Sequence, residues 1–259
     1  MSLTDACCTN PASNPAPWTQ QGHLKTLPAT PNREGRRTYR TGPKDSKYGI
    51  IVIYDVLGYS PTGFQFYDRL ATSNGGFQVS APELLPEGGL PLSILGSGDR
   101  TAIMEWLAKA GDYEKNHMDE TIAAAVQDLR NDGCTTFAIY GQCWGALISA
   151  KAAWQAGNVF LACGGPHPSI KSIDWVKDIK CPMILCLASD DDDMMPLIDL
   201  VNTKNFAVRS TQTRFENVTH GWTRGRGDWS DPVQLQAGLE AIQLLSDFYL
   251  KTIEAAKAH

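Results

Sequence analysis

A chain of 259 residues, 42% hydrophobic and 20% charged, has the make-up of a soluble globular protein and is long enough to bury one large core. The net charge of -5 gives no basic field to draw in a phosphate backbone, which argues against nucleic-acid binding. No run of about 18 apolar residues occurs and the first 20 residues lack a basic segment followed by an apolar one, so the expectation is no membrane segment and a cytoplasmic protein.

Residues 1–48 are rich in Pro, Thr and Asn and read as an irregular arm (1–35) leading into one edge hairpin near residues 37–40. Residues 49–54, Gly-Ile-Ile-Val-Ile-Tyr, form a continuous β-branched run, the pattern of a strand covered on both faces. A helix is expected over 62–73 and a strand over 77–80. Residues 83–98 hold Pro86, Gly88, Gly89, Pro91, Gly96 and Gly98, too many breakers for a regular element, and are a candidate lid loop. Helices follow over 100–109 and 118–131, the second with a core-facing stripe of Ile122, Ala125, Val126 and Leu129. Strands at 137–140, 159–163 and 183–188 then alternate with helices at 146–156 and 196–201, and a strand at 211–215 precedes a long helix at 232–256. That alternation predicts a single α/β domain over 1–259, a doubly wound, mostly parallel sheet with helices on both faces and its site beyond the carboxyl ends of the strands.

Seven scattered cysteines without C-x-x-C spacing argue against a disulfide framework or structural zinc and for a reducing compartment. Adjacent Cys7 and Cys8 read as an inert tail, because no second membrane signal accompanies them. One cysteine has a different context. Gly141-Gln142-Cys143-Trp144-Gly145 directly follows the 137–140 strand and opens the next helix, the setting of the G-x-S-x-G nucleophile turn with Cys in place of Ser. A sulfur at a helix N-terminus feels positive partial charge from unpaired amides, which favours the thiolate.

A nucleophilic thiol needs a base and a group to orient that base. Asp190, Asp191, Asp192 and Asp193 follow the 183–188 strand, and His220 lies between the last strand and the last helix. The order nucleophile, acid, base is that of α/β-hydrolases. His167, after the 159–163 strand, is a further residue able to reach the site, whereas His23, His117 and His259 read as surface residues. No His, Cys or carboxylate spacing suggests a metal site, and no cofactor is implied.

Four motifs, Ile53-Tyr54-Asp55-Val56-Leu57-Gly58, Gly141-Gln142-Cys143-Trp144-Gly145-Ala146, Asp192-Asp193-Met194-Met195-Pro196 and His220-Gly221-Trp222-Thr223-Arg224, resemble those of the dienelactone hydrolase (carboxymethylenebutenolidase) family, and Cys7-Cys8 with Thr41-Gly42-Pro43 resemble its eukaryotic, often fungal, branch. The resemblance implies an α/β-hydrolase fold and hydrolysis of a small lactone or activated ester, with or without a carboxylate, through a thioester acyl-enzyme. Family members place the triad aspartate four residues ahead of a proline, which selects Asp192. Backbone amides of Trp144 and Val56 are the implied oxyanion hole, and Asp55 stands where bacterial members carry a glutamate that partners the resting thiol. Arg224 matches a substrate-gripping arginine, with Arg226 as competitor and Arg100, Lys109 or Tyr113 as places for a second carboxylate contact. Trp144, Trp222 and Phe64 are candidates for lining the pocket. A carboxylesterase or thioesterase would use the same parts, and a non-catalytic ligand binder or oxidant sensor is the reading from a different class. The protein is expected to be a monomer or homodimer.

Overall fold

A computed structural model of the chain describes residues 14–170 and 176–258, so Cys7, Cys8 and His259 lie outside the described residues. The chain enters through an antiparallel hairpin, β1 (His23–Thr26) and β2 (Arg37–Thr41), at one edge of the sheet. Six parallel strands follow: β3 (Tyr48–Ile53), β4 (Gln78–Pro82), β5 (Thr136–Gly141), β6 (Phe160–Pro166), β7 (Met183–Ala188) and β8 (Thr211–Phe215). The sheet order is β1-β2-β4-β3-β5-β6-β7-β8. β3 is therefore flanked by parallel neighbours, which is why its sequence is apolar at every step rather than alternating.

The two faces of β3 and β5 feed two cores. Ile51, Ile53, Phe137 and Ile139 point into one, shared with α3 (Arg100–Ala110), α4 (Met118–Asn131), α5 (Trp144–Gln155) and α6 (Met195–Asn202). Ile50, Val52, Ala138 and Tyr140 point into the other, beneath α1 (Pro61–Thr72) and α7 (Pro232–Lys257). The period-2 alternation of strand side chains makes this division. Both α1 and α7 start on a built cap: Ser60 Oγ accepts from Gly63 N ahead of Pro61, and Asp231 accepts from Val233 N beside Pro232. Each such cap stabilises its helix by about 1 kcal/mol. This is an α/β-hydrolase fold, as the sequence predicts.

Residues 83–98 depart from the expected irregular loop. Pro86–Gly88 make one 3₁₀ turn and Leu92–Ser97 a short helix, α2, closed by Gly98 in the left-handed conformation (φ 65°). The segment is tied to the end of β3: Leu84 and Leu85 amides donate to Tyr54 Oη at 2.7 and 2.9 Å, and Leu90 N donates to Val56 O at 2.7 Å. Buried Leu84, Leu85, Leu90 and Leu95 supply the apolar anchor that the glycines and prolines concealed. Among the described residues no helix is long and apolar enough to cross a membrane.

Candidate active site

β5 delivers the chain into a turn in which Cys143 adopts φ 57°, ψ -120°, a strained conformation for a residue with a side chain. Two glycines make the turn possible. A Cβ on Gly141 would lie 1.9 Å from Gly145 O, and one on Gly145 would lie 2.3 Å from Ile53 O. The start of α5 thus presses against the ends of β3 and β5 with no room for any side chain. Cys143 immediately precedes the first residue of α5 and is only 2% exposed. Trp144 is the first helical residue, its side chain buried in the core.

His220 sits in the loop after β8. His220 Nδ1 lies 2.6 Å from Asp191 Oδ1, and both side chains are buried. The other oxygen of Asp191 accepts from Ala188 N at 2.7 Å, while Arg214 Nη1 donates to Ala188 O and Asp191 O at 2.7 and 3.0 Å. The end of β7 therefore turns back on itself and aims Asp191, not the expected Asp192, at the imidazole. Asp192 and Asp193 are exposed, and Asp193 instead accepts from Gln212 Nε2 and Met195 N at the start of α6, contacts that lower its pKa. Asp190 acts on the backbone instead, where its Oδ1 accepts from His220 N at 2.7 Å and fixes the histidine main chain.

Cys143 and His220 line one small recess with Asp55, Val56, Leu57, Gly221 and Arg226. Its free space is about 10 Å³, enough for about one water molecule. Wider grooves exist, such as one of about 330 Å³ lined by Phe160, Cys181 and Phe206, but it contains no imidazole or carboxylate. Asp55 Oδ1 accepts from Leu57 N at 2.9 Å and its Oδ2 from Gly225 N at 3.4 Å, so the carboxylate also braces the two loops that form the walls.

Three expected pocket residues do not line the recess but lie behind it, and Arg224 Nη2 stands 3.8 Å from Asp55 Oδ1 on its wall. Arg224 is fully buried beneath the start of α1, where Nη1 donates to Tyr67 Oη and the guanidinium lies 5.5 and 5.8 Å from the ring centres of Tyr67 and Tyr54. Burial raises Tyr67 to about 12 even against the pull of Arg224, so the phenol stays neutral there. The tight turn that joins Arg224 N to Gly221 O and Gly227 N to Arg224 O rotates Arg224 inward and leaves Arg226, half-buried, on the recess wall. Trp222 packs against Phe215 and His167 inside the fold. His167, also fully buried, stacks edge-on behind His220 with ring centres 4.9 Å apart. Its Nε2 is 2.8 Å from Thr223 Oγ1, which accepts from Gln142 Nε2 at 2.8 Å. Burial pushes His167 well below the ordinary imidazole value, and His220 and the arginines push the same way. Of the remaining candidates, Phe64 stacks on Tyr39, Tyr113 is buried, and Arg100 and Lys109 are exposed on α3.

A strained cysteine turn at the carboxyl end of the central strands, with a carboxylate-held histidine beside it, is the arrangement of an α/β-hydrolase. The profile of the dienelactone hydrolase family matches residues 37–248, most of the chain, and the protein belongs to that family and is a hydrolase. An uncharacterized AIM2 family protein of Schizosaccharomyces pombe is 25% identical over 94% of this chain and 98% of its own length. The hydrolase tropI of Talaromyces stipitatus is 26% identical over 58% of this chain and 59% of its own. Among solved structures, the promiscuous, dienelactone hydrolase-like phosphotriesterase P91 from metagenomic libraries aligns with a TM-score of 0.62 and 16% identity, covering 88% of this chain and 99% of that one. Dienelactone hydrolase from Anabaena variabilis aligns at 0.59 with 13% identity, over 90% and 99%. At those identities the two structures are alike in fold.

Proposed function

We propose that the protein hydrolyses a small lactone or activated ester through a thioester formed on Cys143, with His220 as base and Asp191 as the group that orients it. The observation that carries this reading is the 2.6 Å contact between His220 Nδ1 and the buried Asp191 carboxylate, beside a cysteine that shares the recess with the imidazole. With Nδ1–H held by Asp191, the His220 tautomer has Nε2 as a proton acceptor. The thiol gives its proton to Nε2, the sulfur attacks the carbonyl carbon, and the departing enolate or alkoxide takes that proton from Nε2. Water, deprotonated by the same nitrogen, then attacks the thioester, the C–S bond breaks, and Nε2 returns the proton to the released sulfur. Amides of Trp144 and Val56 receive the negative oxygen in each tetrahedral intermediate, each typically worth about 3 kcal/mol in such a site. No cofactor enters these steps.

The acid-bearing substrate of the wider family needs a cation at the recess, and Arg226 fills that place in this reading. The burial of Arg224 favours a second reading, a hydrolase of neutral esters, in which Arg226 has no substrate charge to meet. A panel of lactones and aryl esters, with and without a carboxylate, tests both. Alkylation of Cys143, located by peptide mapping, should abolish turnover, and Cys143→Ala should be inactive while folded. Activity surviving either change would remove Cys143 from its role.

A further inference from the structure

The end of β6 splints the cysteine turn at three points. Cys143 N donates to Pro166 O at 3.3 Å, Ser169 N donates to Cys143 O at 3.1 Å, and Ser169 Oγ stands 3.6 Å from Cys143 Sγ. The two backbone bonds hold Ser169 in register with the cysteine and so keep its hydroxyl within reach of the sulfur. Ser169 is half-buried and Cys143 is buried, so water does not fully replace such a hydrogen bond.

We propose that Ser169 is a further catalytic residue, whose hydroxyl donates a hydrogen bond to the Cys143 thiolate and thereby sets how readily the sulfur ionises. The inference rests on Cys143 being the nucleophile. The direction of donation follows from the surroundings. The proton of the thiol has a stronger acceptor in a His220 imidazole backed by Asp191, and the N-terminus of α5 favours negative charge on the sulfur. The hydroxyl is then the donor, and a hydrogen bond made to the ionised form of a group lowers its pKa. Ser169 keeps its own proton throughout, and only the thiol proton moves, from Sγ to His220 Nε2.

The test uses the intact enzyme and its Ser169→Ala and Ser169→Thr variants. Iodoacetamide alkylation of Cys143 is followed by peptide mass from about pH 5 to about pH 10, beside kcat, KM and Tm. Without the hydroxyl the apparent thiol pKa rises by about one, alkylation near neutral pH slows roughly three- to tenfold, and kcat falls more than KM changes. Threonine keeps a hydroxyl and restores the wild-type profile. An unchanged alkylation profile in Ser169→Ala, or a threonine variant that behaves like alanine at equal Tm, overturns the proposal. Should Ser169→Ala not fold, Ser169→Gly supplies the same measurement with the hydroxyl absent. The two readings fail separately: an alkylated Cys143 that leaves turnover intact defeats the nucleophile, whereas an unaltered thiol pKa in an enzyme that alkylation inactivates defeats Ser169 alone.

Discussion

Replacing Asp191 by Asn changes one atom and should remove most of the activity. The wild-type carboxylate accepts twice, from His220 Nδ1–H at 2.6 Å and from Ala188 N at 2.7 Å. An asparagine has one oxygen, and the Ala188 amide cannot turn away, because β7 holds it in the chain. The oxygen therefore stays on Ala188 N and the new NH₂ faces Nδ1, which must give up its proton to accept. His220 is then forced into the tautomer with its proton on Nε2, directed at a sulfur from which it should be taking one. Loss of the correct tautomer in a buried triad lowers kcat by roughly a thousand- to ten-thousand-fold, or about 4 to 5.5 kcal/mol of transition-state stabilisation. Hydrolysis of an aryl acetate under saturating substrate, with folding checked by circular dichroism, gives the number. Asp192→Asn, at an exposed position, should stay within a few fold of wild type. A large loss at Asp192 and a small one at Asp191 would refute the reasoning.

Three further outcomes are expected. Gly145→Ala puts a methyl 2.3 Å from Ile53 O and should cost about 3 kcal/mol or more, seen as a Tm lower by about 10 °C or as failure to fold; an unchanged Tm would show that the turn has slack. His167 is held neutral by burial, so its folded pKa lies below the unfolded value of about 6.5, and as pH falls through that value the unfolded chain takes up a proton that the fold refuses. Urea titrations should therefore show the wild type losing about 1.4 kcal/mol per pH unit more than His167→Gln below about pH 6.5, and parallel curves would contradict the assignment. Arg226→Ala should reduce kcat/KM for a carboxylate-bearing lactone roughly ten- to a hundred-fold more than for its neutral ester. Equal losses would favour the neutral-ester reading.

The fold was legible because each strand and each long helix satisfies a local and a global requirement at once. The run 49–54 is buried at every residue and coincides with β3 to within a residue, while Ser60-Pro61 and Asp231-Pro232 mark helix starts that the structure keeps within a residue or two. What stayed hidden was α2, since six residues that include Gly96 and are followed by Gly98 carry no helical signal of their own. That helix exists because Leu90 and Leu95 are anchored in the core, a tertiary cause that the breakers mask.

The site was legible to the level of segments and not of individual atoms. Gly141 and Gly145 follow from sterics that any chain with this turn must obey, Cys143 from its place between them, and His220 from its place after the last strand. The choice among four consecutive aspartates is different, because it depends on how the chain turns after Ala188. Counting back from Pro196 selects Asp192, but the turn closes one residue earlier: Asp191 reaches back to Ala188 N, Arg214 ties down the carbonyls at 188 and 191, and Asp190 is used on His220 N. The same logic displaced the arginine. Positions 224 and 226 are two residues apart in one loop, and a tight turn with bonds from Arg224 N to Gly221 O and from Gly227 N to Arg224 O sends the first under α1 and the second to the recess. Gly63 makes room for that burial, since a Cβ there would lie 2.2 Å from Arg224 Nη1. The inward course of Arg224 thus depends on a glycine in α1. Filling that space with Gly63→Ala would press on Arg224 and on the loop that carries Arg226.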